Sequence, residues 1–324
     1  MVASSSLSLG RYLQFGHVTL AATGKDDILR NFIDLTHRVL VFSEATGVQA
    51  DADLCFAEFP LAIPAGEWVY AAAGLSVFAT ENGFYLTCAD SHIIIDTKKL
   101  KAEAFLATDF WSQSLYAQRE FLLLSLLMLM RPKGLYGLHA CGLVKGGIGL
   151  LLVGSSGSGK TTTSLNLINS GWQFLSDDAV LLREIADDIE ALAFRKGFSV
   201  LPDSLRHFSH KDISLEFDDP EGKKVINLAP TFGAGFRQSC RPQLIVFPKL
   251  GVSGETRLVE LSPAKALILL AQQSAGIMTE AGVSARQLQL LSQLLKQARA
   301  YEVQLAKDAL DEPGLVSDLL GEKL

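Results

Sequence analysis

The chain has 324 residues, of which 48% are hydrophobic and 20% are charged, and its formal net charge at pH 7 is −6. This length allows two domains, and the composition is typical of a globular protein with a sizeable core. A net negative chain has no basic stripe for a polyanion, so nucleic acid is excluded from the expected partners. Cys55, Cys88, Cys141 and Cys240 are far apart and form no C-x-x-C pair. They predict neither a zinc site nor a disulfide framework, and they favour a reducing, cytoplasmic location.

The first hundred residues carry short strand-like runs separated by turn signals. Asn82-Gly83 between two of these runs predicts a hairpin, and residues 26–41 fit a helix instead. This part has no motif with chemistry, so we interpret it as a binding or oligomerisation module and leave a homo-oligomer open. The predicted strands lie at residues 12–15, 54–56, 68–70, 76–78, 84–87 and 92–95.

Residues 101–131 are predicted to be helical, most clearly over 109–130. The apolar run 121–130 is bounded by charged residues and is much shorter than the roughly 20 residues that a membrane-spanning helix needs. It therefore predicts a buried core helix and no membrane span. Arg131-Pro132-Lys133-Gly134 interrupts the pattern. We expect a β-rich N-terminal domain over 1–131 and a second domain, with C-terminal helices, over 132–324.

The second domain begins with a hairpin-like pattern, 138–144 and 148–153, that leads into a Walker A sequence. Gly154-Ser155-Ser156-Gly157-Ser158-Gly159-Lys160-Thr161 matches G-x-x-x-x-G-K-[ST] at every fixed position, and a helix is predicted over 161–170. Strand, loop and helix in that order are what a phosphate-binding loop requires. Lys160 would reach the β- and γ-phosphates, and the Thr161 hydroxyl would bind Mg²⁺. The residues expected to bind the nucleoside triphosphate are Gly154, Ser155, Ser156, Gly157, Ser158, Gly159, Lys160, Thr161 and Thr162.

Further elements follow the loop. Gly171 is a favourable residue just beyond the end of the loop helix, and Ser262-Pro263 is a favourable helix start. Residues 203–224 are polar and predict a loop. A late amphipathic helix is predicted over 284–300, with Leu288, Leu291, Leu295 and Ala298 on one face. Strands are predicted at 172–175, 179–182, 191–194, 244–247 and 257–261.

Asp177-Asp178 is the acidic pair that nucleotide chemistry would use. The late strand 244–247 ends in Pro248-Lys249 and has no carboxylate there, whereas the pair ends the first strand after the loop helix. If that strand lies beside the loop strand, the acids lie near the γ-phosphate. One carboxylate can bind Mg²⁺ directly or through water, and the other can accept a hydroxyl proton. Water can serve as the nucleophile too, so a hydrolase is an alternative to a kinase. A second alternative is that the two aspartates are only solvated residues of a turn.

Three stretches together resemble the catalytic domain of HPr kinase/phosphorylase and, more distantly, the nucleotide site of ATP-dependent phosphoenolpyruvate carboxykinase. They are Leu138-His139-Ala140, the segment GLLLVGSSGSGKTTTSLNLINSG, and the segment FLSDDAV at 174–180. The resemblance covers about residues 135–265. It implies an α/β fold, a phosphoenolpyruvate carboxykinase-like P-loop domain behind the β-rich N-terminal domain. It also implies ATP- and Mg²⁺-dependent phosphorylation of a serine-type hydroxyl.

The same resemblance implies roles for single residues. Asp177 matches the catalytic base, Asp178 its neighbour near the metal, and His139 a histidine of the active-site region; a buried strand histidine is the alternative. Arg241 and Arg237 match a region with phosphate-binding arginines, with ordinary surface arginines as the alternative.

The family's Arg-Gly-hydrophobic-Gly signature, tied to the reverse, phosphorolytic reaction, is only partly present. Residues 194–198 keep Arg195 and Gly197 alone, and the first hundred residues do not resemble the usual regulatory domain. We therefore expect a related kinase acting on a protein, peptide or small-molecule acceptor other than HPr. A P-loop NTPase, or a nucleotide-binding regulatory protein without a phosphoacceptor, is the alternative.

Overall fold

The computed structural model describes residues 10–72, 74–200, 215–218, 224–226, 235–251, 253–274, 281–312 and 314–323. The chain divides into two compact units, Met1–Leu135 and Tyr136–Leu324.

The first unit contains a nine-stranded sheet with the order β3-β1-β2-β4-β9-β8-β7-β6-β5. β4 pairs in parallel with β2 and β9, and the other neighbours are antiparallel. All six predicted strands lie within it, and Thr80 pairs with Gly83 in the predicted hairpin. The strands are β1 (Gly10–Phe15), β2 (Val18–Thr23), β3 (Ser43–Ala45), β4 (Ala52–Phe56), β5 (Glu67–Ala72), β6 (Leu75–Thr80), β7 (Gly83–Cys88), β8 (Ser91–Asp96) and β9 (Lys101–Phe105).

In the described part of the first unit there are two α-helices, α1 (Asp26–Val39) and α2 (Leu115–Met130). The prediction of a helix after residue 26 is confirmed. The helical prediction for 101–105 is wrong, because Ala102 and Ala104 are buried while their neighbours are half-buried, which is the period-two pattern of a strand. α2 also begins later than residue 109. The Ser114 side chain caps it by accepting a hydrogen bond from the Ala117 backbone N–H at 3.2 Å.

α2 is the buried core helix that its apolar run predicts, with Phe121, Leu126 and Met130 almost fully buried. Across the described ranges, every helix is too short or too polar to cross a bilayer.

The second unit contains a six-stranded sheet, β13-β11-β12-β20-β22-β21, a four-stranded sheet, β10-β14-β15-β19, and a three-stranded sheet, β16-β18-β17. The strands are β10 (Tyr136–Leu138), β11 (Ala140–Lys145), β12 (Ile148–Val153), β13 (Gln173–Ser176), β14 (Val180–Ile185), β15 (Asp188–Ala193), β16 (Phe198–Val200), β17 (Leu215–Asp218), β18 (Lys224–Ile226), β19 (Ser239–Cys240), β20 (Pro242–Leu250), β21 (Arg257–Glu260) and β22 (Arg299–Leu305). The helices are α3 (Lys160–Asn169), α4 (Pro263–Gln272), α5 (Ala281–Gln297), α6 (Asp308–Asp311) and α7 (Leu315–Gly321).

The strand directions of the six-stranded sheet decide where the loops meet. β12 is parallel to β20, and β20 to β22, while β11 is antiparallel to both β12 and β13. β13 therefore runs in the same direction as β12, but β11 lies between them, so the strand that precedes the acidic pair is not a direct neighbour of the loop strand. The carboxyl ends of β13, β12, β20 and β22 and the amino end of β11 share one edge.

The core of the second unit lies between this sheet and α3. Leu150, Leu152, Leu165, Trp172 and Val303 are fully or almost fully buried within one cluster. Alternating residues of β12 and one face of α3 supply this cluster, which fixes the strand and helix that flank the phosphate loop.

Several boundaries differ from prediction. The strand predicted at 138–144 is divided at His139, where β10 leaves to pair with β14. The predicted loop 203–224 contains β17, and its residues 203–214 and 219–223 lie outside the described residues. The late helix ends at Gln297 because 299–305 form β22, which pairs with β20 and β21. Its buried face carries Leu291 and Leu294, whereas Leu288 is exposed.

Candidate functional site

The loop between β12 and α3 has a conformation that only its glycines allow. Gly157 and Gly159 have φ angles of 80° and 101°, in the left-handed region that favours glycine. A Cβ on Gly154 would lie 2.7 Å from Ser158 Oγ, and a Cβ on Gly159 would lie 3.0 Å from Leu250 Cγ. The glycines are therefore needed for space as well as for backbone angles, as a loop that closes tightly around an anion requires.

One polar atom of the loop lacks a protein partner. The Ser158 hydroxyl oxygen is buried and has no hydrogen-bond partner among the described residues. Leaving a buried hydroxyl unpaired costs about 1–3 kcal/mol. A phosphate oxygen would supply the missing partner, so these residues fit a bound phosphate.

Lys160, the first residue of α3, is folded back over the loop. Its ammonium group donates to the carbonyl oxygens of Gly154 and, at 3.2 Å, of Ser155, and it lies 3.0 Å from His139 Nε2. Thr161 and Thr162 follow in the first turn of α3 and are half-buried. The cation and the backbone N–H groups of the helix N-terminus therefore lie at the same place.

His139 and the acidic pair lie at the same edge as the loop. His139 precedes β11, and Asp177-Asp178 follow β13. His139 Nδ1 lies 3.3 Å from Asp178 Oδ1, and the Arg195 guanidinium donates to Asp178 Oδ2. A chain of contacts thus joins Lys160, His139, Asp178 and Arg195.

Asp177 has a different environment from Asp178. Its side chain is 4% exposed, and its Oδ2 accepts a hydrogen bond from the Ser199 backbone N–H at 2.9 Å. Asp178 has a φ of 64°, which is uncommon for a residue with a side chain. This backbone turn points the two neighbouring carboxylates into different surroundings.

These surroundings separate the pKa values of the two carboxyl groups. Burial, and then the charge of Asp178, raises the pKa of Asp177 to about 6. Burial opposes ionisation of Asp178 as well, but the Arg195 guanidinium, the adjacent His139 ring and the Lys160 ammonium outweigh it and hold that pKa well below its usual range. At neutral pH Asp178 is fixed as an anion, whereas Asp177 is an anion that can readily take up a proton.

His139 is a neutral imidazole in this arrangement. Burial lowers its pKa, although the charge of Asp178 opposes that effect. A neutral ring that donates from Nδ1 to Asp178 leaves Nε2 free to accept from Lys160. His139 therefore connects the anion and the cation of the site.

The structure does not bring Arg241 or Arg237 to this edge. Arg241 precedes β20, where Pro242 pairs with Gly149 at the start of β12, and its exposed side chain pairs with Asp188 at 2.6 Å. Arg237 donates to Gln173 Oε1 at the start of β13. Both lie at the amino ends of strands whose carboxyl ends form the site.

Arg195 is the arginine that reaches the acidic pair. The Arg195 backbone N–H donates to Ser176 Oγ at 2.9 Å, which joins the residue to the end of β13. The signal for it in the sequence was the partial signature at 194–198, whose arginine is retained. In the sequence, this stretch stands out only because it departs from the complete family signature, and that departure assigns no role to Arg195.

The second unit is a mixed α/β domain in which a glycine-rich loop joins a strand of the six-stranded sheet to a helix. Residues 136–196 match the family described as HPr Serine kinase C-terminal domain. This match agrees with the resemblance of the segment to the HPr kinase/phosphorylase catalytic domain.

Named relatives agree with the family match. HPr kinase/phosphorylase of Thermoanaerobacter sp. is 42% identical over 101 residues, 31% of this chain and 28% of that protein. The protein of the same name from Caldanaerobacter subterraneus subsp. tengcongensis is 42% identical over 62 residues, 19% of this chain and 18% of that protein. The one from Peptoclostridium acidaminophilum is 51% identical over 43 residues, 13% of this chain and 14% of that protein. The chain thus spans less than a third of the length of each.

Among solved structures, the HPr(Ser) kinase/phosphatase from Coxiella burnetii aligns with 58% of this chain and 89% of that chain. The TM-score is 0.31 and the sequence identity is 15%.

Proposed function

We propose that the second unit transfers the γ-phosphoryl group of ATP to a serine-type hydroxyl on a protein, peptide or small molecule. The observation that carries this proposal is the chain of contacts that joins Lys160, His139 and Asp178 at one edge of the sheet, with the buried Asp177 carboxylate beside it. The different surroundings of the two carboxyl groups raise the pKa of Asp177 and lower that of Asp178. We propose a phosphoenolpyruvate carboxykinase-like P-loop fold and a cytoplasmic location with it.

In the proposed reaction, Asp177 removes the proton from the acceptor hydroxyl while the oxygen of that hydroxyl attacks the γ-phosphorus of ATP. The bond between that phosphorus and the β–γ bridging oxygen breaks, and ADP leaves with the electron pair. Lys160 turns from the loop carbonyls toward the phosphates and offsets their negative charge. Asp178 keeps its charge throughout, because Arg195 and His139 stabilise the ionised form.

Mg²⁺ would neutralise phosphate charge when it is bound. We assign the Thr161 hydroxyl a direct contact with the ion. Both Asp178 oxygens already have protein partners, so we assign Asp178 a contact with the ion through water.

The test compares Asp177→Asn and Asp178→Asn with wild type, using radiolabelled ATP with Mg²⁺ and a panel of acceptors in which HPr, named by the relatives, comes first. Asp177→Asn should lower transfer about 10²–10⁴-fold while ATP binding persists. Asp178→Asn should raise the Mg²⁺ concentration that is needed. Asp187→Asn is the matched control, since Asp187 is exposed in the turn between β14 and β15.

Two results would contradict the proposal. If phosphate is released from ATP at the same rate whether or not an acceptor is present, for every acceptor of the panel, the protein is an NTPase. Transfer at the wild-type rate and Mg²⁺ dependence in both single variants would exclude the acidic pair from the reaction.

A further inference from the structure

A cavity of about 400 Å³ lies beside the first turns of α3. Its walls come from three separate parts of the second unit, and most of them are apolar. They include Thr162, Thr163 and Asn166 of α3, Leu250 at the end of β20, and Leu305 and Ala306 at the end of β22. The volume lies within the range of about 300–1,000 Å³ that is usual for small-molecule sites.

The cavity directly adjoins the phosphate loop. A Cβ on Gly159 would lie 3.0 Å from Leu250 Cγ and 3.1 Å from Leu305 Cδ1. Two of the apolar wall residues therefore contact the end of the loop itself. Thr162, two positions beyond Lys160, forms part of the wall, so a ligand can extend from the loop into the cavity.

The order of the strands places the cavity and the acidic pair on opposite sides of the loop. β11 and β13, which position His139 and Asp177, lie on one side of β12, and β20 and β22 lie on the other. Neighbouring strands are about 4.8 Å apart, so each site lies within about 10 Å of the loop strand. A triphosphate whose γ end faces Asp177 can direct its other end toward the cavity.

One polar residue of the cavity wall has a side chain without a hydrogen-bond partner in the described part of the chain. Thr163 is 2% exposed, and its hydroxyl oxygen has no hydrogen-bond partner among the described residues. An unpaired buried hydroxyl is unfavourable until a ligand satisfies it. A flat aromatic base with hydrogen-bonding edges would contact the leucine side chains and supply that partner.

We propose that this cavity holds the nucleoside end of the nucleoside triphosphate, with the base against Leu250 and Leu305 and within reach of the Thr163 hydroxyl. The proposal rests on the proposed function. It gives the ligand a direction, with the nucleoside on the β20–β22 side and the acceptor hydroxyl entering on the β11–β13 side.

The test measures the binding of ATP with Mg²⁺ and of inorganic tripolyphosphate with Mg²⁺ by calorimetry. Wild type should bind ATP more tightly than tripolyphosphate. Ala306→Phe narrows the cavity and should raise the Kd for ATP about tenfold or more while leaving the Kd for tripolyphosphate within about twofold. Thr163→Val keeps the shape of the side chain and should raise the Kd for ATP alone, by about fivefold, through loss of one hydrogen bond. Val259→Phe, on β21 outside the cavity wall, should change neither.

Two outcomes would overturn the cavity assignment and leave the proposed function standing. These are unchanged ATP binding in both cavity variants, or equal weakening of ATP and tripolyphosphate. If neither ligand binds to wild type, both the cavity assignment and the proposed function fail. If Lys160→Ala binds ATP and tripolyphosphate as tightly as wild type, the proposed function is contradicted. The assigned direction of the ligand then has no support either.

Discussion

At the scale of single residues, the site is organised around Lys160. Its ammonium group is held by the carbonyl oxygens of the loop and by His139. A cation in this position is already largely desolvated, and in the proposed reaction it lies next to the phosphate charge that develops. Its value to the reaction is therefore electrostatic, and its removal should affect catalysis more than folding.

Lys160→Ala should lower phosphoryl transfer by at least about 10²–10³-fold, because a preorganised positive charge is lost in the transition state. The midpoint of urea unfolding should stay close to wild type. Lys296→Ala is the control, since Lys296 is exposed in the last turn of α5. Near-normal transfer by a folded Lys160→Ala protein would rule out the site.

His139 and Arg241 give a second contrast at this scale. His139 lies between Lys160 and Asp178, whereas Arg241 forms an exposed ion pair with Asp188 at the opposite edge. Exposed pairs contribute only about 0–1 kcal/mol. His139→Ala should therefore lower turnover more than stability, and Arg241→Ala should change neither by much. Kinetics and thermal unfolding of the same samples check this, and a large loss of turnover in Arg241→Ala would contradict the placement.

At the scale of elements, the close approach of β12 and β20 positions the phosphate loop. A Cβ on Gly149 would lie 2.5 Å from the Arg241 carbonyl oxygen and 2.7 Å from Cys240 Sγ. The first of these atoms belongs to the backbone and cannot move without disturbing the strand. Glycine at the start of β12 is therefore a requirement of strand pairing.

Gly149→Ala should destabilise the second unit by about 1–3 kcal/mol, the usual cost of overpacking. The matched control is Gly321→Ala at the end of α7, where a Cβ meets no atom of the described chain within 4 Å. Urea unfolding should show a clear loss for the first variant and little change for the second. Equal stability of the two variants would contradict the strand geometry.

At the scale of the whole molecule, ligand stabilisation should be confined to one unit. Only Tyr136–Leu324 contains the phosphate loop and the acidic pair. A ligand at about 100 times its Kd stabilises the folded state that binds it by about 2.7 kcal/mol. Saturating ATP with Mg²⁺ should therefore slow hydrogen exchange of core amides in this unit by up to about 100-fold.

Peptides from Met1–Leu135 serve as the internal control and should exchange at unchanged rates. Lys160→Ala, measured at the same ATP concentration, should lose most of the protection. Equal protection of both units would show that ligand binding is not confined to the second one.

The sequence by itself was sufficient to predict those features whose structural requirement is local. Gly154, Gly157 and Gly159 satisfy steric demands within a few residues, so the loop and its strand and helix follow from one contiguous pattern. Six strands of the first unit are visible in the same way, because alternation and turn residues are local signals. The acidic pair could be selected too, since Asp177 and Asp178 directly follow a strand.

Only the tertiary structure decided which distant residues meet. Arg195 reaches Asp178, and Arg241 does not reach the loop, because strand order and direction assign each strand end to one edge of the sheet. The same pairing places β11 between β12 and β13 and brings three segments together around the cavity. These outcomes depend on contacts between residues far apart in the chain, and a local pattern carries no information about such contacts.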